Sequence, residues 1–199
     1  MNVVDSIRVR ELGRVPYEKA LQDMRAFTRG RTEASDDELW LLEHPPVYTL
    51  GQGAEARAVG NAIPVVRSDR GGDITYHGPG QAVLYPLVDL ARRGIKVKRF
   101  VWLLEQAVIE LLGRGERRQG APGVYVDGAK IAALGIRIVK GRAYHGLSLN
   151  VEMDLSPFLA IDPCGYPGLR VTQVKDLGLP TKDAQQRLAG RLLALLDHE

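Results

Sequence analysis

The chain has 199 residues, and its hydrophobic fraction of 45% and charged fraction of 26% are those of an ordinary globular protein. The net charge of +3 includes no block of five or six like charges, which argues against a nucleic-acid-binding arm. With a single cysteine, no apolar signal core and no membrane-length run, we expect one cytoplasmic, monomeric domain over residues 1–199, without nucleic-acid or membrane partners.

The N-terminal half predicts a strand, a helix and then further strands. Residues 6–10 alternate as in a half-buried strand. Pro16 is typical of a helix start, and Ala20, Met24 and Phe27 recur at helical spacing, which predicts a helix over 17–29. Runs rich in β-branched and aromatic residues predict further strands at 38–43, 47–50, 65–67, 74–76 and 82–87.

A long helix and three strands are predicted next. Apolar residues recur every three or four positions over 97–112, and Gly113 is placed to end that helix. Strands are predicted near 123–126, 129–139 and 143–152. In the last of these, alternation predicts two opposite faces, one with His145, Leu147, Leu149 and Val151 and the other with Tyr144, Gly146, Ser148 and Asn150.

The C-terminal segment predicts a third helix, which starts after Pro180 with Thr181 as its N-cap. Its buried stripe is expected to comprise Ala184, Leu188, Leu192 and Leu195. Because strands and helices do not alternate strictly along the chain, we predict an α+β fold with a mixed, mostly antiparallel sheet flanked by helices.

Glycine and proline are frequent, with 22 and 11 residues against a combined average of ~12% of a chain. Many of them cluster at 71–80, 120–128 and 163–168. Loops in these three stretches are therefore expected to line a cleft.

Cys164 is the candidate nucleophile of the chain. A lone cysteine is commonly a small buried hydrophobe, but this one lies between Pro163 and Gly165, a setting that favours a loop open to a ligand. A nucleophilic thiol also needs a neighbouring cation or base to stay ionised.

Lys130 is the candidate partner of this thiol. A single lysine at the start of a strand is usually solvated, and that alternative stays open from the sequence. The following residues include Ala132, Ala133 and Gly135, which leave space beside the strand where a core strand would fill it. A lysine followed by such small residues is a candidate for the wall of a pocket.

The segment from Arg70 to Gln81 combines glycines with many polar groups. Its glycines alone are compatible with two turns around a strand. The sequence RGGDITYHGPGQ does not match a dinucleotide-binding GxGxxG pattern, and exposed backbone N–H groups that bind an acyl carbonyl or a carboxylate explain it better.

Several polar residues have two readings that the sequence leaves open. His77 and His145 are candidates either to orient an acyl carbonyl or to be hydrogen-bonded core histidines, and Asn150 is either a site residue or a structural one. His44, which precedes two prolines, is expected to be a turn residue. The chain shows neither zinc-ligand spacing nor a GxxxxGK[ST] phosphate loop, so no metal is expected.

Five ordered segments together resemble one family. They are EHPPVYTLGQG (43–53), RGGDITYHGPGQ (70–81), GVYVDGAKIAALGIRI (123–138), YHGLSLNVEMDLSPFLAIDPCG (144–165) and VTQV (171–174). The chain resembles, from about residue 6 to 190, the octanoyltransferases of lipoate biosynthesis, the lipoyl(octanoyl) transferase family. This resemblance implies a fold like that of biotin and lipoate protein ligases.

The resemblance also implies a two-step reaction. An octanoyl group passes from acyl carrier protein to Cys164 as a thioester and then to a lysine on a lipoyl domain. The implied acceptors are 2-oxoacid dehydrogenase subunits and the glycine-cleavage H protein. No cofactor is implied, because the phosphopantetheine arm belongs to the acyl carrier protein.

Site residues carried over from the resemblance fall into two groups. Cys164 is implied as the nucleophile, with Lys130 lowering the pKa of its thiol. The implied acyl-binding residues are Arg70, Gly71, Gly72, Asp73, Ile74, Thr75, Tyr76, His77, Ala133, Leu134, Gly135, Gly146, Leu147 and Ser148.

Other functions remain open at this point. An ATP-dependent lipoate ligase would need the lysine but no thiol, so Cys164 argues against it. A non-catalytic module that binds an acyl group or a lipoyl domain would keep the pocket without the Cys164–Lys130 pair. A papain-like hydrolase would require a histidine base and open access for water.

Overall fold

The computed structural model describes residues 7–55, 59–161 and 168–199, so Cys164 lies outside the described residues. Within these ranges the helices are α1 (Tyr17–Gly30), α2 (Val97–Leu112) and α3 (Ala184–Leu196). The strands are β1 (Arg8–Arg14), β2 (Glu38–Glu43), β3 (Val47–Leu50), β4 (Val65–Arg67), β5 (Ile74–His77), β6 (Gln81–Leu87), β7 (Gly123–Val126), β8 (Ala129–Val139) and β9 (Arg142–Asn150).

The strands form two sheets. The larger has six strands in the order β1-β2-β6-β9-β8-β7, and the smaller has three in the order β4-β3-β5. Each sheet contains one parallel pair, β1 with β2 and β3 with β4, while the other neighbours are antiparallel. The predicted α+β fold with a mixed, mostly antiparallel sheet is confirmed.

The helices cover both faces of the larger sheet. On one face, α2 and α3 bury Leu103, Leu104, Leu188 and Leu192 against apolar residues of the sheet such as Leu149. Each helix buries residues at every third or fourth position, such as Phe100, Leu104 and Val108 in α2, so one stripe of each helix is apolar. None of the described helices is both long and apolar enough to cross a membrane.

The opposite face of the larger sheet packs against α1. Met24 of α1 contacts a cluster that includes Trp40 and Tyr85. At the start of α1, Tyr17 and Leu21 contact Val47 of the smaller sheet. Because α1 packs on both sheets, it fixes the smaller sheet over the larger one and leaves space between them for a site.

The start of α3 differs from the prediction. The helix begins at Ala184, after Asp183, whose φ of +53° ends the preceding turn without a side-chain cap. Thr181 is therefore not the N-cap, and its hydroxyl instead donates a hydrogen bond to Glu152. In the last turn Leu196 is buried, whereas Leu195, predicted for the buried stripe, is only partly so.

Candidate active site

A cavity between the two sheets collects most of the predicted site residues. It holds about 700 Å³ of empty space, a volume that includes the solvent at its opening. The predicted residues that line it are Arg70, Gly72, Asp73, Ile74, Thr75, His77, Lys130, Ala133, Leu134, Gly135, His145, Gly146, Leu147, Ser148 and Asn150.

Two residues predicted to bind the acyl group lie outside the cavity wall. The Gly71 N–H donates a hydrogen bond to the Ile136 carbonyl at 3.0 Å, so this residue ties its loop to β8. Tyr76 packs against Tyr48 and Phe158 in the core beneath the smaller sheet. Strand alternation explains the second case, since Tyr76 points away from its neighbours Thr75 and His77.

The chain on both sides of residues 162–167, which include Cys164, contacts this cavity. Phe158, which precedes Cys164, and Val171, which follows it, both line the cavity wall. The backbone of Lys130 pairs with this second stretch, since its N–H donates to Arg170 at 2.8 Å and its carbonyl accepts from Thr172 at 3.0 Å. The lysine is thus fixed to the chain that follows the cysteine.

Lys130 is buried, with 4% of its surface exposed. Its ammonium donates a hydrogen bond to the Pro122 carbonyl at 3.0 Å and lies 5.4 Å from the centre of the Tyr125 ring. The approach needs glycine at position 123, where φ is +145° and a Cβ would lie 2.6 Å from Lys130 Cε. The solvated alternative for this lysine is therefore wrong.

Arg70 fixes the loop that follows it. Its guanidinium donates hydrogen bonds to the carbonyls of Thr49, Gly71 and Asp73 at 2.6, 2.9 and 2.7 Å. Two further bonds reach the Thr49 hydroxyl at 3.1 and 2.9 Å. These contacts hold the glycine-rich loop against β3 and give the arginine a positioning role at the cavity.

His77 belongs to a buried chain of hydrogen bonds. The side-chain nitrogen of Gln81 donates hydrogen bonds to the Tyr76 carbonyl at 3.3 Å and to Asn150 Oδ1 at 2.9 Å. The side-chain oxygen of Gln81 therefore accepts the hydrogen bond from His77 Nδ1 at 2.8 Å. Asn150 in turn donates to the Thr172 carbonyl at 3.0 Å. We assign the neutral tautomer with the proton on Nδ1, because burial lowers the pKa of His77 well below its ordinary value.

His145 does not share a face with Leu147, contrary to the prediction. Its φ of +60° departs from strand geometry, and its ring stacks on Tyr144 and contacts Tyr85 on the α1 side of the sheet. Alternation along a regular strand cannot reveal such a residue. The Nε2 of His145 bonds to Asp69 at 2.8 Å.

Asp69, the carboxylate that bonds to His145, was not singled out from the sequence. It accepts hydrogen bonds from Arg25 at 2.9 Å and from the Tyr144 hydroxyl at 2.7 Å, besides its bond to His145. Burial raises the pKa of this carboxyl, but these three partners outweigh burial and hold it below its ordinary value. Its only sequence signal is its place just before Arg70.

His44 lies in the connection between β2 and β3, as predicted, and its side chain is buried in the same region. Its two ring nitrogens bond to the Val15 carbonyl at 2.7 Å and to the Tyr85 hydroxyl at 2.8 Å. Its ring centre lies 5.5 Å from that of His77. Burial lowers the pKa of His44 to about 4, so the ring is neutral near pH 7.

The glycines at the cavity permit close backbone contacts. A Cβ on Gly135 would lie 2.9 Å from the Gly71 carbonyl, and one on Gly146 would lie 2.2 Å from the Leu84 carbonyl. The space expected beside these two glycines is therefore filled by neighbouring backbone. Among the residues that the structure describes, no group of three or more His, Cys, Asp or Glu side chains is arranged to hold a metal ion.

The chain is similar to known proteins both in sequence and in structure. Residues 16–192 match the family described as the lipoyl protein ligase A/B catalytic domain. The chain is 61% identical over 180 residues to the octanoyltransferase of Thiobacillus denitrificans, covering 87% of this chain and 83% of that one. It is 55% identical to the octanoyltransferase of Dechloromonas aromatica, covering 96% of this chain and 97% of that one.

Solved structures share the fold at low sequence identity. A putative lipoate protein ligase from T. acidophilum superposes with a TM-score of 0.75 at 17% identity, covering 96% of this chain and 85% of the other. The biotin protein ligase from Aquifex aeolicus superposes with a TM-score of 0.52 at 11% identity, covering 95% of this chain and 68% of the other.

Proposed function

The chain belongs to the octanoyltransferase family of lipoate biosynthesis, and from this premise we propose that it carries an octanoyl group from acyl carrier protein, through a thioester on Cys164, to a lysine of a lipoyl domain. It is an acyltransferase. The donor, the covalent intermediate and the acceptor are the parts that we propose.

The observation that carries this proposal is the buried Lys130 in the wall of a cavity bounded by the chain on both sides of Cys164. Phe158 and Val171 line that cavity, and the backbone of Lys130 pairs with Arg170 and Thr172. A lysine held there would lie beside a thiol that enters the cavity from the intervening segment.

In the first step, the Cys164 thiolate attacks the carbonyl carbon of the octanoyl thioester. A carbon–sulfur bond to Cys164 forms, and the bond to the pantetheine sulfur breaks. The departing pantetheine thiolate takes a proton from the Lys130 ammonium and leaves as the neutral thiol of the carrier. The octanoyl group then resides on the enzyme.

In the second step, the amine of the acceptor lysine attacks the enzyme thioester. An amide bond forms, the bond to the Cys164 sulfur breaks, and the thiolate is regenerated. The neutral amine of Lys130, left by the first step, accepts the proton that the acceptor nitrogen must lose. The donor thioester is already activated, so neither step requires ATP.

Proton transfer is the larger role of Lys130 in this scheme. An ordinary thiol with a pKa of ~8.5 is only about 3% thiolate at pH 7, and a decrease of roughly two pKa units would raise the thiolate fraction about 25-fold. The nucleophilicity of a thiolate falls with its pKa at a slope of ~0.4–0.5, so the net gain is only roughly threefold. General acid–base catalysis contributes ~10²–10⁴-fold.

The cavity also suits a saturated acyl chain. Leu134, Leu147 and Phe158 contribute apolar surface to its wall. About six methylenes that move from water into such a wall contribute roughly 5 kcal/mol, at ~0.8 kcal/mol each. The net charge of +3 favours an acidic carrier protein as the donor partner.

Intact-mass spectrometry tests the covalent intermediate. The enzyme is mixed with octanoyl-acyl carrier protein in the absence of an acceptor. We expect a mass increase of one octanoyl group that is released by neutral hydroxylamine, as for a thioester, and that is absent in Cys164→Ser. Addition of a lipoyl domain is then expected to move the group to that domain as a hydroxylamine-stable amide.

A parallel reaction with free octanoate and ATP separates the transferase from a ligase. We expect no modified lipoyl domain in that reaction. Modification that requires ATP, or full transfer by Cys164→Ser from the carrier, would contradict the proposal.

A further inference from the structure

Glu105 is a buried carboxylate on α2 that the two-step scheme does not use. Its relative exposure is 6%. One carboxylate oxygen accepts a hydrogen bond from the Gly123 N–H at 3.0 Å, and the other lies 3.2 Å from Arg117 Nε. Burial of a carboxylate is costly in free energy unless partners offset it, so the position of this one requires a reason.

The Gly123 N–H and the Pro122 carbonyl belong to one peptide unit. In a trans peptide they point in opposite directions. The N–H faces Glu105, while the carbonyl accepts the hydrogen bond from the Lys130 ammonium at 3.0 Å. A single peptide thus lies between an anion at its positive end and a cation at its negative end.

We propose that Glu105 is a positioning residue for Lys130, holding and polarising the Pro122–Gly123 peptide so that its carbonyl orients the ammonium toward the cavity and stabilises its proton. The effect of this positioning on the reaction rate rests on the proposed function. Hydrogen bonds in series strengthen one another, so the carboxylate makes the carbonyl a better acceptor. The carboxylate also attracts the ammonium directly across the peptide.

The local geometry leaves little freedom to either partner. With φ of +145° and a Cβ position only 2.6 Å from the Ala132 carbonyl, Gly123 is fixed against β8. A carboxylate is more than hydrogen bonding alone would need, because a glutamine oxygen at position 105 would satisfy the same N–H. The charge pairs with Arg117 on one side, and through the peptide it also faces the Lys130 ammonium.

Charged and titratable groups face Lys130 from two sides. Glu105, with its partner Arg117, approaches through the peptide from the side of α2. Tyr125 lies under the ammonium on β7, and the Arg118 guanidinium lies 4.2 Å from the centre of that ring. Glu105 presents its negative charge to the ammonium through the peptide, and Glu116, a second carboxylate beside Tyr125, pairs with Arg118.

The test compares the titration of Lys130 in the wild type and in Glu105→Gln, which keeps an acceptor for Gly123 and removes the charge. Lysine side chains are isotope-labelled and followed by NMR against pH, and Lys130→Arg identifies the Lys130 signal. We expect the Lys130 signal in Glu105→Gln to titrate at lower pH, because the ammonium loses its stabilising anion. The matched control is Glu110→Gln, an exposed carboxylate on the same helix, which should leave the signal in place.

A second variant gives a change of opposite sign. Arg117→Gln removes the cation that partly neutralises Glu105, so the Lys130 signal is expected to titrate at higher pH. An unchanged titration in both Glu105→Gln and Arg117→Gln overturns the proposal, whether or not the enzyme transfers octanoyl groups. Because this measurement uses no substrate, its failure is distinct from a failure of the proposed function.

Kinetics then test the consequence for catalysis. In Glu105→Gln we expect kcat to fall about tenfold, a smaller loss than the ~10²-fold that a misplacement of ~1 Å can cause. KM for the octanoyl carrier should change less than kcat does. The alkaline limb of the rate of Cys164 acylation should move to lower pH, because that step uses the ammonium form of Lys130. A uniform loss at every pH, with an unshifted profile, indicates a purely structural role and contradicts the proposal.

Discussion

Burial of the Lys130 side chain is costly in free energy, since an ammonium is strongly hydrated in water. The Pro122 carbonyl and the Tyr125 ring replace part of that hydration. A lysine at the solvated end of a strand would have avoided the cost. Its burial in a cavity wall is consistent with a group that transfers protons away from bulk water.

Replacement of Lys130 by arginine keeps the positive charge but removes the ability to give and take a proton near neutral pH. We expect Lys130→Arg to lose most turnover, about 10²-fold or more, as for loss of a general acid–base group. Single-turnover measurements of Cys164 acylation and of transfer to a lipoyl domain would show which step is slowed.

The exposed Lys182 provides the matched control. Lys182→Arg makes the same chemical change outside the cavity and should keep the wild-type rates. Thermal unfolding of both variants separates loss of catalysis from loss of the fold. Near-normal turnover by a folded Lys130→Arg enzyme would contradict proton transfer by this residue.

The sequence predicted Lys130 for the wall of a pocket but did not single out Asp69, for a physical reason. The small residues beside Lys130 are its neighbours in the chain, so a strand with little side-chain bulk is visible in the sequence. Asp69 contacts Arg25, Tyr144 and His145, which are distant in the chain. Such a cluster has no periodic signal and appears only once the strands are paired.

At the scale of elements, the loop after Arg70 is held by side-chain bonds to backbone. The guanidinium reaches the carbonyls of Thr49, Gly71 and Asp73, and the Gly71 N–H pairs with β8. One arginine therefore links β3, the loop and, through that loop, the larger sheet. The cavity edge formed by Gly72 and Asp73 depends on this link.

Arg70→Lys tests that link. A lysine is a compact cation with three donors and cannot reproduce the planar set of bonds. We expect a loss of about 1.5–3 kcal/mol in the free energy of unfolding, the range for hydrogen bonds to charged groups. Urea denaturation gives that value. KM for the octanoyl carrier should rise more than kcat falls, because the loop forms part of the binding wall.

Arg29→Lys in the last turn of α1 is the control, since Arg29 is exposed. Its stability and KM should stay close to those of the wild type. If Arg70→Lys retained wild-type stability and KM, Arg70 would not hold the loop in the way the contacts indicate.

Local sequence signals predicted the bounds of most elements well. The bounds of α2, β7 and β8 agree with the predictions, because apolar period and flanking glycines are properties of neighbouring residues. The start of α3 was missed because Asp183 adopts a positive φ. The length of β1 was underestimated because most of its residues are exposed and carry little apolar alternation.

At the scale of the whole molecule, strand pairing was beyond the sequence. Strand β9 lies between β6 and β8, and β6 lies between β2 and β9. The pairing of β6 with β9 joins segments more than 60 residues apart, such as Gln81 and Asn150. The resemblance predicted the fold type, but the contacts between the sheets, including three buried histidines, required the structure.

The packing between the two sheets should make the fold sensitive to acid. His44 joins the backbone at Val15 to Tyr85 of the larger sheet and packs beside His77 of the smaller one. Burial lowers the pKa of His44 to about 4 from 6.5. The unfolded chain therefore binds a proton at this residue at a higher pH than the folded chain does, so the stabilisation is present above pH ~6.5 and is lost as pH falls toward ~4.

Protonation of His44 alone should remove about 3 kcal/mol of stability between pH ~6.5 and pH ~4, at ~1.36 kcal/mol per pKa unit. Urea denaturation at several pH values in this window measures the total decrease. Comparison with His44→Gln, which does not titrate, isolates the part due to His44, and the exposed His198→Gln is the control that should follow the wild type. A decrease in His44→Gln as steep as in the wild type would show that other groups cause the acid sensitivity of the fold.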